Sequence, residues 1–233
     1  SYQSASPWYS YASLATQSFV RECRAVLRLR EQPSDLIVYV KAMYALRGKG
    51  YITMERAHMD LLTYVQHGPL QPREVATHGS QMASAVQHMH SLNLAHCDIK
   101  LENFLLVLRP PLADGSISID GKSVQFKLCD FGLTRPIDDT EYSCGTIGYA
   151  APELLQEAGQ TPATGDSWAL GMCLFAMSAG CAPFERASLG NPHYDCFSYA
   201  GGGLSGLLEL GHDVKGALAQ VLERQVASGE IGK

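Results

Sequence analysis

The stretch that decides the fold is His96-Cys97-Asp98-Ile99-Lys100-Leu101-Glu102-Asn103-Phe104-Leu105-Leu106, with Asp130-Phe131-Gly132 further along the chain. In the first segment a carboxylate, a lysine and an amide stand at fixed spacing and are followed by an apolar run. In the second, a carboxylate follows an apolar segment and stands beside a glycine that lets the backbone turn. Each Asp or Asn alone would be interpreted as a turn former. Their joint spacing predicts a functional constellation carried on loops next to short strands.

The two segments resemble the catalytic loop H-R-D-L-K-x-x-N and the metal-binding D-F-G motif of eukaryotic-type protein kinases. One departure is Cys97, which stands where this family usually carries arginine. Further along, the stretch 145–153 resembles the end of the family's activation segment, which closes on A-P-E, and the stretch 166–171 resembles the helix that follows it. The resemblance covers nearly the whole chain from Phe19 on. It implies an α+β, bilobal protein-kinase-like fold with a reduced N-lobe that lacks the Gly-rich loop and a mainly helical C-lobe.

The pattern of helices and strands predicts three parts of the chain. Residues 1–54 form the reduced N-lobe, with an N-terminal arm, a helix over 18–30 and a hairpin of two strands, 36–45 and 50–54. Residues 55–60 form the hinge. Residues 61–233 form the helical C-lobe, with helices at 74–92, 165–178 and 213–225, and short strands at 105–108 and 124–129.

The resemblance assigns the chemistry of phosphoryl transfer to four side chains. Asp98 would accept or orient the acceptor hydroxyl, and Lys100 would neutralise the γ-phosphate. Asn103 and Asp130 would hold Mg²⁺, with Asp130 chelating the ion that bridges the phosphates. Lys100 lies two residues after the aspartate and Thr146 occupies the threonine position of the substrate-binding loop, which together imply serine/threonine acceptors. Asp166 is expected to brace the catalytic loop.

The resemblance also assigns ATP contacts in the first part of the chain. Glu22 resembles the glutamate of the helix that faces the cleft, and Glu55 to Ala57 resemble the adenine-binding hinge. Asp60 would be an acidic ribose contact, and Leu105 would lie beneath the adenine ring. The alternative for Leu105 is an ordinary core position, whether or not a nucleotide binds.

The expected phosphate-clamping apparatus is not visible in the sequence. Only 18 residues precede Phe19, and none is glycine or lysine, so neither G-x-G-x-x-G nor the lysine of V-A-I-K stands before the helix that carries Glu22. This combination resembles the With-No-Gly-loop branch of secreted apicomplexan parasite kinases. Two hypotheses remain open. The first is an atypical Mg-ATP-dependent Ser/Thr kinase that uses no Gly-rich loop, and the second is a pseudokinase that acts as a scaffold or allosteric partner.

Cys97 carries a regulatory prediction. The usual arginine pairs with a phosphorylated activation loop. Without it, phosphorylation of the segment after Asp130 is not expected to be needed for activity, the candidate acceptors being Thr134, Thr140, Tyr142 and Ser143. The alternative is that Cys97 is a reactive sensor thiol. It is disfavoured because the residues next to this position are packed in the family that the chain resembles.

Composition and charge limit the remaining possibilities. The net charge of -5 argues against non-specific nucleic-acid binding. The resemblance implies a protein substrate or a partner protein. No apolar run is long enough to span a bilayer, so no transmembrane segment is expected. The seven cysteines form no CxxC pair and leave location open; resemblance alone implies secretion into the parasitophorous vacuole.

Overall fold

A computed structural model describes residues 14–68, 70–109, 118–119, 122–139, 145–155, 161–188, 191 and 194–195 of the 233. Five helices lie in it, α1 (Leu14–Glu31), α2 (Leu61–Val65), α3 (Pro72–Ser91), α4 (Pro152–Leu155) and α5 (Pro162–Ala179). Eight strands accompany them, β1 (Val40–Leu46), β2 (Lys49–Met54), β3 (Met59–Asp60), β4 (Leu94–Ala95), β5 (Phe104–Arg109), β6 (Ser118–Ile119), β7 (Lys122–Leu128) and β8 (Arg135–Pro136). The predicted α+β class is confirmed, with a small lobe of α1 and a β-hairpin and a larger, mainly helical lobe.

Helix α1 begins a turn earlier than the predicted 18–30 and includes residues 14–17. Its buried face carries Ala25, Val26 and Leu29 at helical spacing, and this face joins the core that both lobes share. The Arg30 guanidinium donates to the Val40 carbonyl at 2.6 Å. This bond joins the end of α1 to the first strand of the hairpin.

Strands β1 and β2 form the predicted hairpin around Arg47 and Gly48. Both residues have positive φ, 50° and 74°, as a two-residue type I′ turn requires. The prediction that the first strand starts at Leu36 is wrong, since β1 begins at Val40. Residues 36–38 bond instead to the larger lobe, because the Val38 N–H donates to the Leu128 carbonyl and the Leu128 N–H donates to the Leu36 carbonyl, both at 2.9 Å.

The larger lobe contains an antiparallel sheet in the order β3-β5-β7-β6. Strands β5 and β7 were both predicted, whereas β3 lies in the predicted hinge and β6 was not predicted. Phe104 pairs with Leu128, and the Cys129 N–H donates to the Asn103 carbonyl at 2.9 Å. Asn103, just before β5, and Asp130, just after β7, are therefore brought to the same end of the sheet.

Helices α3 and α5 form the core beneath this sheet. Each begins with a defined cap, a Gln71–Glu74 capping box for α3 and the Thr161 side chain for α5. At the close approach of the two helices, a Cβ added to Gly79 would lie 2.6 Å from Leu174 Cδ2, so the absent side chain permits the contact. Both helices were predicted, and α5 carries Asp166 into the interior.

Several predictions fall on residues that the structure does not describe. They concern the arm before residue 14 and the helix at 213–225. The division into 1–54, 55–60 and 61–233 stays a prediction. None of the helices in the described part of the chain is both long and apolar enough to cross a membrane.

Candidate active site

The loop that carries Asp98 is held from below by Asp166 of α5. Its carboxylate, 1% exposed, accepts from the backbone N–H of His96 and of Cys97, both at 2.8 Å. The His90 ring lies 2.9 Å from the same carboxylate. Cys97 has a φ of 66°, a conformation that costs a non-glycine residue energy and that the two bonds help to hold. The predicted bracing role of Asp166 is confirmed.

The carboxylate of Asp98 is bonded to Thr146 and to Lys100. Its Oδ1 accepts from the Thr146 N–H at 2.9 Å and from the Thr146 hydroxyl at 2.8 Å, while its Oδ2 lies 2.7 Å from Lys100 Nζ. Lys100 also donates to the Thr146 hydroxyl at 3.0 Å. Burial raises the pKa of Asp98, but the bonds from Lys100 and Thr146 outweigh it and hold that pKa below its ordinary value. The carboxylate is therefore kept ionised and fixed in direction.

Gly145 is a residue that sequence reasoning did not single out as functional. A Cβ added there would lie 2.4 Å from Asp98 Oδ1 and 2.5 Å from the Cys97 carbonyl oxygen. No side chain fits at that distance, so glycine is what allows Thr146 to reach Asp98. The sequence feature that could have indicated this role is the position of Gly145 directly before Thr146.

Asn103 lies beneath Asp98 with only 5% of its surface exposed. Its Nδ2 donates to the Asp98 carbonyl at 2.8 Å and approaches Asp98 Oδ2 at 3.3 Å. Because the amide nitrogen is used in this way, the Oδ1 oxygen is left without a hydrogen-bond partner among the described residues. That oxygen is available as a ligand.

Asp130 is the exposed end of the site. Its φ of 62° reverses the chain after β7, and its Oδ1 accepts from the Gly132 N–H at 3.3 Å. The next side chain, Phe131, is buried and meets the His96 ring edge-on at a centroid distance of 5.7 Å. Burial of Phe131 thus leaves the Asp130 carboxylate facing outward.

Glu22 lies on α1 beside the same turn. A Cβ built on Gly132 would lie 3.3 Å from Asp130 Oδ1 and 3.9 Å from Glu22 Oε2, so both carboxylates approach that point. Burial, and then the charge of Asp130, raise the pKa of Glu22, although a hydrogen bond from the Phe131 backbone opposes this. Lys127, which could have been a partner, binds Glu55 instead.

The side chain of Glu55, in the predicted hinge, is bonded to groups of the chain itself, and its role toward ATP stays a prediction. Its Oε1 accepts from Lys127 Nζ at 2.7 Å and from the Tyr39 N–H at 2.8 Å. Burial raises the pKa of Glu55, but the bond from Lys127 leads the contacts that bring it below its ordinary value. Two residues on, the Ala57 N–H and carbonyl have no partner within the described ranges, so the backbone of this segment can pair with the edge of a planar base.

Asp60, which was predicted to contact the ribose, also caps a helix. Its Oδ1 accepts from the Thr63 N–H at 2.7 Å and its Oδ2 from the Thr63 hydroxyl at 3.1 Å, which caps α2. Asp60 pairs with Leu105 across β3 and β5. The structure therefore brings the predicted ribose and adenine contacts side by side, and their roles toward ATP stay predictions.

The donor set suits a hard divalent cation. Asn103 Oδ1 and the Asp130 carboxylate are oxygen ligands, as Mg²⁺ prefers. No group of three or more His, Cys, Asp or Glu side chains that could hold a metal occurs in the described part of the chain.

Comparison with known proteins agrees with this geometry. The family model for the protein kinase domain matches residues 9–198. Human serine/threonine-protein kinase D2 is 31% identical over 176 residues, which cover 73% of this chain and 18% of that protein. Mouse testis-specific serine/threonine-protein kinase 1 is 33% identical over 152 residues, 61% of this chain and 38% of that protein.

A plant relative gives a similar match. CBL-interacting protein kinase 32 of Oryza sativa subsp. japonica is 32% identical over 167 residues, 71% of this chain and 36% of that protein. The matched region is thus well under half the length of each of these relatives. Since the family model covers most of this sequence, the chain belongs to the protein kinase superfamily of the eukaryotic type.

Proposed function

We propose that this chain transfers the γ-phosphate of Mg-ATP to serine or threonine hydroxyls of protein substrates. The observation that carries the proposal is the closed set of contacts among Asp98, Lys100 and Thr146. These contacts fix an ionised carboxylate and an ammonium group in one place. The named relatives are serine/threonine kinases or, for the rice protein, a protein kinase, which supports the acceptor class.

Each side chain has a defined task in this reaction. Asp98 orients the acceptor hydroxyl and takes its proton at the carboxylate, and Lys100 offers positive charge to the transferring phosphate. Asn103 and Asp130 would hold Mg²⁺, which neutralises charge on the phosphate oxygens when bound. The Ala57 backbone would hold the base, with Asp60 and Leu105 beside it.

A transfer assay tests the proposal. Wild-type protein, Asp98→Ala and the control Asp35→Ala are incubated with labelled ATP, Mg²⁺ and a generic basic protein. Asp35 is an exposed residue between α1 and β1, remote in sequence from the catalytic loop. Transfer by wild type and by Asp35→Ala, with loss in Asp98→Ala, is the expected result. Equal incorporation by all three would contradict the proposal.

A pseudokinase scaffold is the second candidate function. It is favoured by one observation, that Glu22 forms no ion pair with a lysine among the described residues. Thermal unfolding with ATP, with and without Mg²⁺, separates the two candidates, because a ligand that binds only the folded state raises its stability. A Mg²⁺-dependent rise in melting temperature is expected of the kinase, and no shift with any nucleotide is expected of the scaffold.

The finer parts of the proposal rest on the resemblance alone. They are catalysis without a Gly-rich loop, membership of the With-No-Gly-loop branch, and action as a secreted protein in the parasitophorous vacuole. They stay predictions. Immunofluorescence of the endogenous protein in infected cells would test its location, and a signal confined to the parasite cytosol would contradict it.

A further inference from the structure

Helix α1 contacts the turn after β7 through one of its faces. Ser18, Arg21 and Glu22 stand at positions i, i+3 and i+4, which places them next to each other on the helix surface. The Arg21 guanidinium donates to the Gly132 carbonyl at 3.1 Å, and the Ser18 hydroxyl donates to the same oxygen at 3.4 Å. A Cβ added to Gly132 would lie 3.9 Å from Glu22 Oε2. One face of α1 therefore meets one residue of the turn.

The Gly132 peptide depends on α1 for its fixed position. Within the turn, the Thr134 N–H donates to the Phe131 carbonyl at 3.1 Å, which leaves the next carbonyl, that of Gly132, for the donors of the helix. A Cβ at position 132 would lie 2.8 Å from Ser18 Oγ, so a side chain there would displace the hydroxyl. The bond from Arg21 is the stronger of the two, because it is shorter and its donor is charged.

The N–H side of Gly132 is directed to Asp130. The Gly132 N–H donates to Asp130 Oδ1 at 3.3 Å, so the orientation of the glycine influences where this carboxylate oxygen is held. Asp130 has a φ of 62°, a left-handed conformation that costs a non-glycine residue energy and that persists only with support from its surroundings. Arg21 thus holds the carbonyl of the residue whose N–H holds the Asp130 carboxylate.

We propose that Arg21, assisted by Ser18, is a positioning residue for phosphate transfer that fixes the Asp130 carboxylate through the backbone of Gly132. The proposal rests on the proposed function, in which Asp130 binds Mg²⁺. Neither Arg21 nor Ser18 needs to touch the nucleotide for this role. Removing the guanidinium is expected to loosen the turn first and to slow the reaction as a consequence.

Amide hydrogen exchange of the ligand-free protein tests whether Arg21 holds the turn. Wild type, Arg21→Ala, Arg21→Lys and the control Arg28→Ala are compared by mass spectrometry. Arg28 is an exposed arginine of the same helix whose partner is Glu31. Peptides that cover 130–134 are expected to exchange about tenfold faster in Arg21→Ala than in wild type, while peptides from α3 stay unchanged. Arg21→Lys keeps a charged donor and should recover part of the protection, and Arg28→Ala should match wild type.

Steady-state kinetics of the same proteins tests the consequence for the reaction. Arg21→Ala is expected to lower kcat about tenfold and to raise the Mg²⁺ concentration that gives half the maximal rate. KM for the acceptor peptide should stay unchanged, because the contacts among Asp98, Lys100 and Thr146 are not altered. Ser18→Ala removes a single hydroxyl and should give a smaller change in the same direction. If Arg21→Ala does not fold, Arg21→Lys and Ser18→Ala are judged by the same measurements.

The contrary outcomes separate this inference from the proposed function. If wild type transfers phosphate and exchange at 130–134 is the same in Arg21→Ala, the inference is wrong and the proposed function stands. Faster exchange with the kinetic constants of wild type would also overturn it, because the turn would then be loosened without effect on the reaction. If wild type transfers no phosphate, the proposed function fails, and faster exchange in Arg21→Ala would leave Arg21 a structural residue only.

Discussion

Thr146 is the residue that connects the loop after Gly145 to the Asp98 carboxylate. Its hydroxyl donates to Asp98 and accepts from Lys100, so it holds both side chains through one oxygen. The backbone N–H of Thr146 supplies a further bond that does not depend on its side chain. The role of the hydroxyl can therefore be separated from the role of the loop.

Thr146→Ala is expected to lower kcat roughly tenfold or more, since a hydrogen bond to a charged group contributes about 1.5–3 kcal/mol. Thr146→Ser keeps the oxygen and should retain most of the rate. Steady-state kinetics on one acceptor peptide measures both variants. A rise in KM for ATP with unchanged kcat in Thr146→Ala would contradict a positioning role for this hydroxyl.

His78 is a buried histidine on α3 whose two ring nitrogens have no hydrogen-bond partner among the residues that the structure describes. It packs edge-on against Phe126 at a centroid distance of 4.8 Å and against Tyr64 at 6.1 Å. Burial lowers the pKa of His78 to about 4, which the nearby Glu74 charge only partly offsets. The ring is therefore neutral in the folded protein at neutral pH.

This pKa predicts a loss of stability in acid. The unfolded chain takes up a proton near pH 6.5, whereas the folded protein resists it until about pH 4, so stability falls as pH is lowered through that window. The contribution is on the order of 3 kcal/mol. Denaturant unfolding between pH 7 and pH 4 measures it, and His78→Phe should lose less stability over this range. An identical pH dependence in the two proteins would refute the assignment.

At the scale of elements, the ion pair between Glu55 and Lys127 joins the hinge to β7. Lys127 is 3% exposed and its ammonium lies 2.7 Å from the carboxylate, with Arg109 further off at 3.9 Å. Glu55 also bonds to the Tyr39 N–H beside β1. The pair thus fixes the hairpin, the hinge and the sheet of the larger lobe to one another.

Replacing only one member of the Glu55–Lys127 pair leaves the charge of the other member unpaired in a mostly buried site. Lys127→Met and Glu55→Gln are each expected to destabilise the fold by about 2 kcal/mol or more, and the double variant by less than the sum. Urea unfolding of the four proteins of the cycle gives the coupling energy. Additive losses would show that the two side chains act independently.

The local motifs could be predicted from the sequence. The contacts between residues that are distant in the sequence could not. Asp98, Asn103 and Asp130 lie within short stretches whose spacing predicts the loop and the two strands beside it. Glu55 and Lys127 are 72 residues apart, and no spacing rule connects them. The late start of β1 has the same cause, because Leu36 bonds to β7 instead of to β2.

At the scale of the whole molecule, the start of the activation segment is held by the chain itself. Strand β8 pairs with β4 directly before the catalytic loop, and Arg135 of β8 lies 3.1 Å from Asp139. Thr134, one of the predicted phosphorylation sites, is 4% exposed and so is inaccessible in this conformation. The other three candidates lie outside the described residues.

With Cys97 in place of arginine, activity is expected to be independent of phosphorylation in this segment. Protein treated with a broad-specificity phosphatase should keep its rate of transfer, as should the Thr140→Ala and Ser143→Ala variants. Mass spectrometry confirms the phosphorylation state of each sample. A large gain in rate on phosphorylation would contradict the prediction.

For the whole molecule, the central proposal is that an ionised Asp98, held by Lys100 and Thr146, orients a serine or threonine hydroxyl for phosphate transfer. The most direct measurement is the transfer of label from ATP, with Mg²⁺, to three basic peptides that differ only in a serine, threonine or tyrosine acceptor. Wild type is expected to label the serine and threonine peptides and Asp98→Ala to label none. Labelling of the tyrosine peptide alone, or equal labelling by both proteins, would contradict the claim.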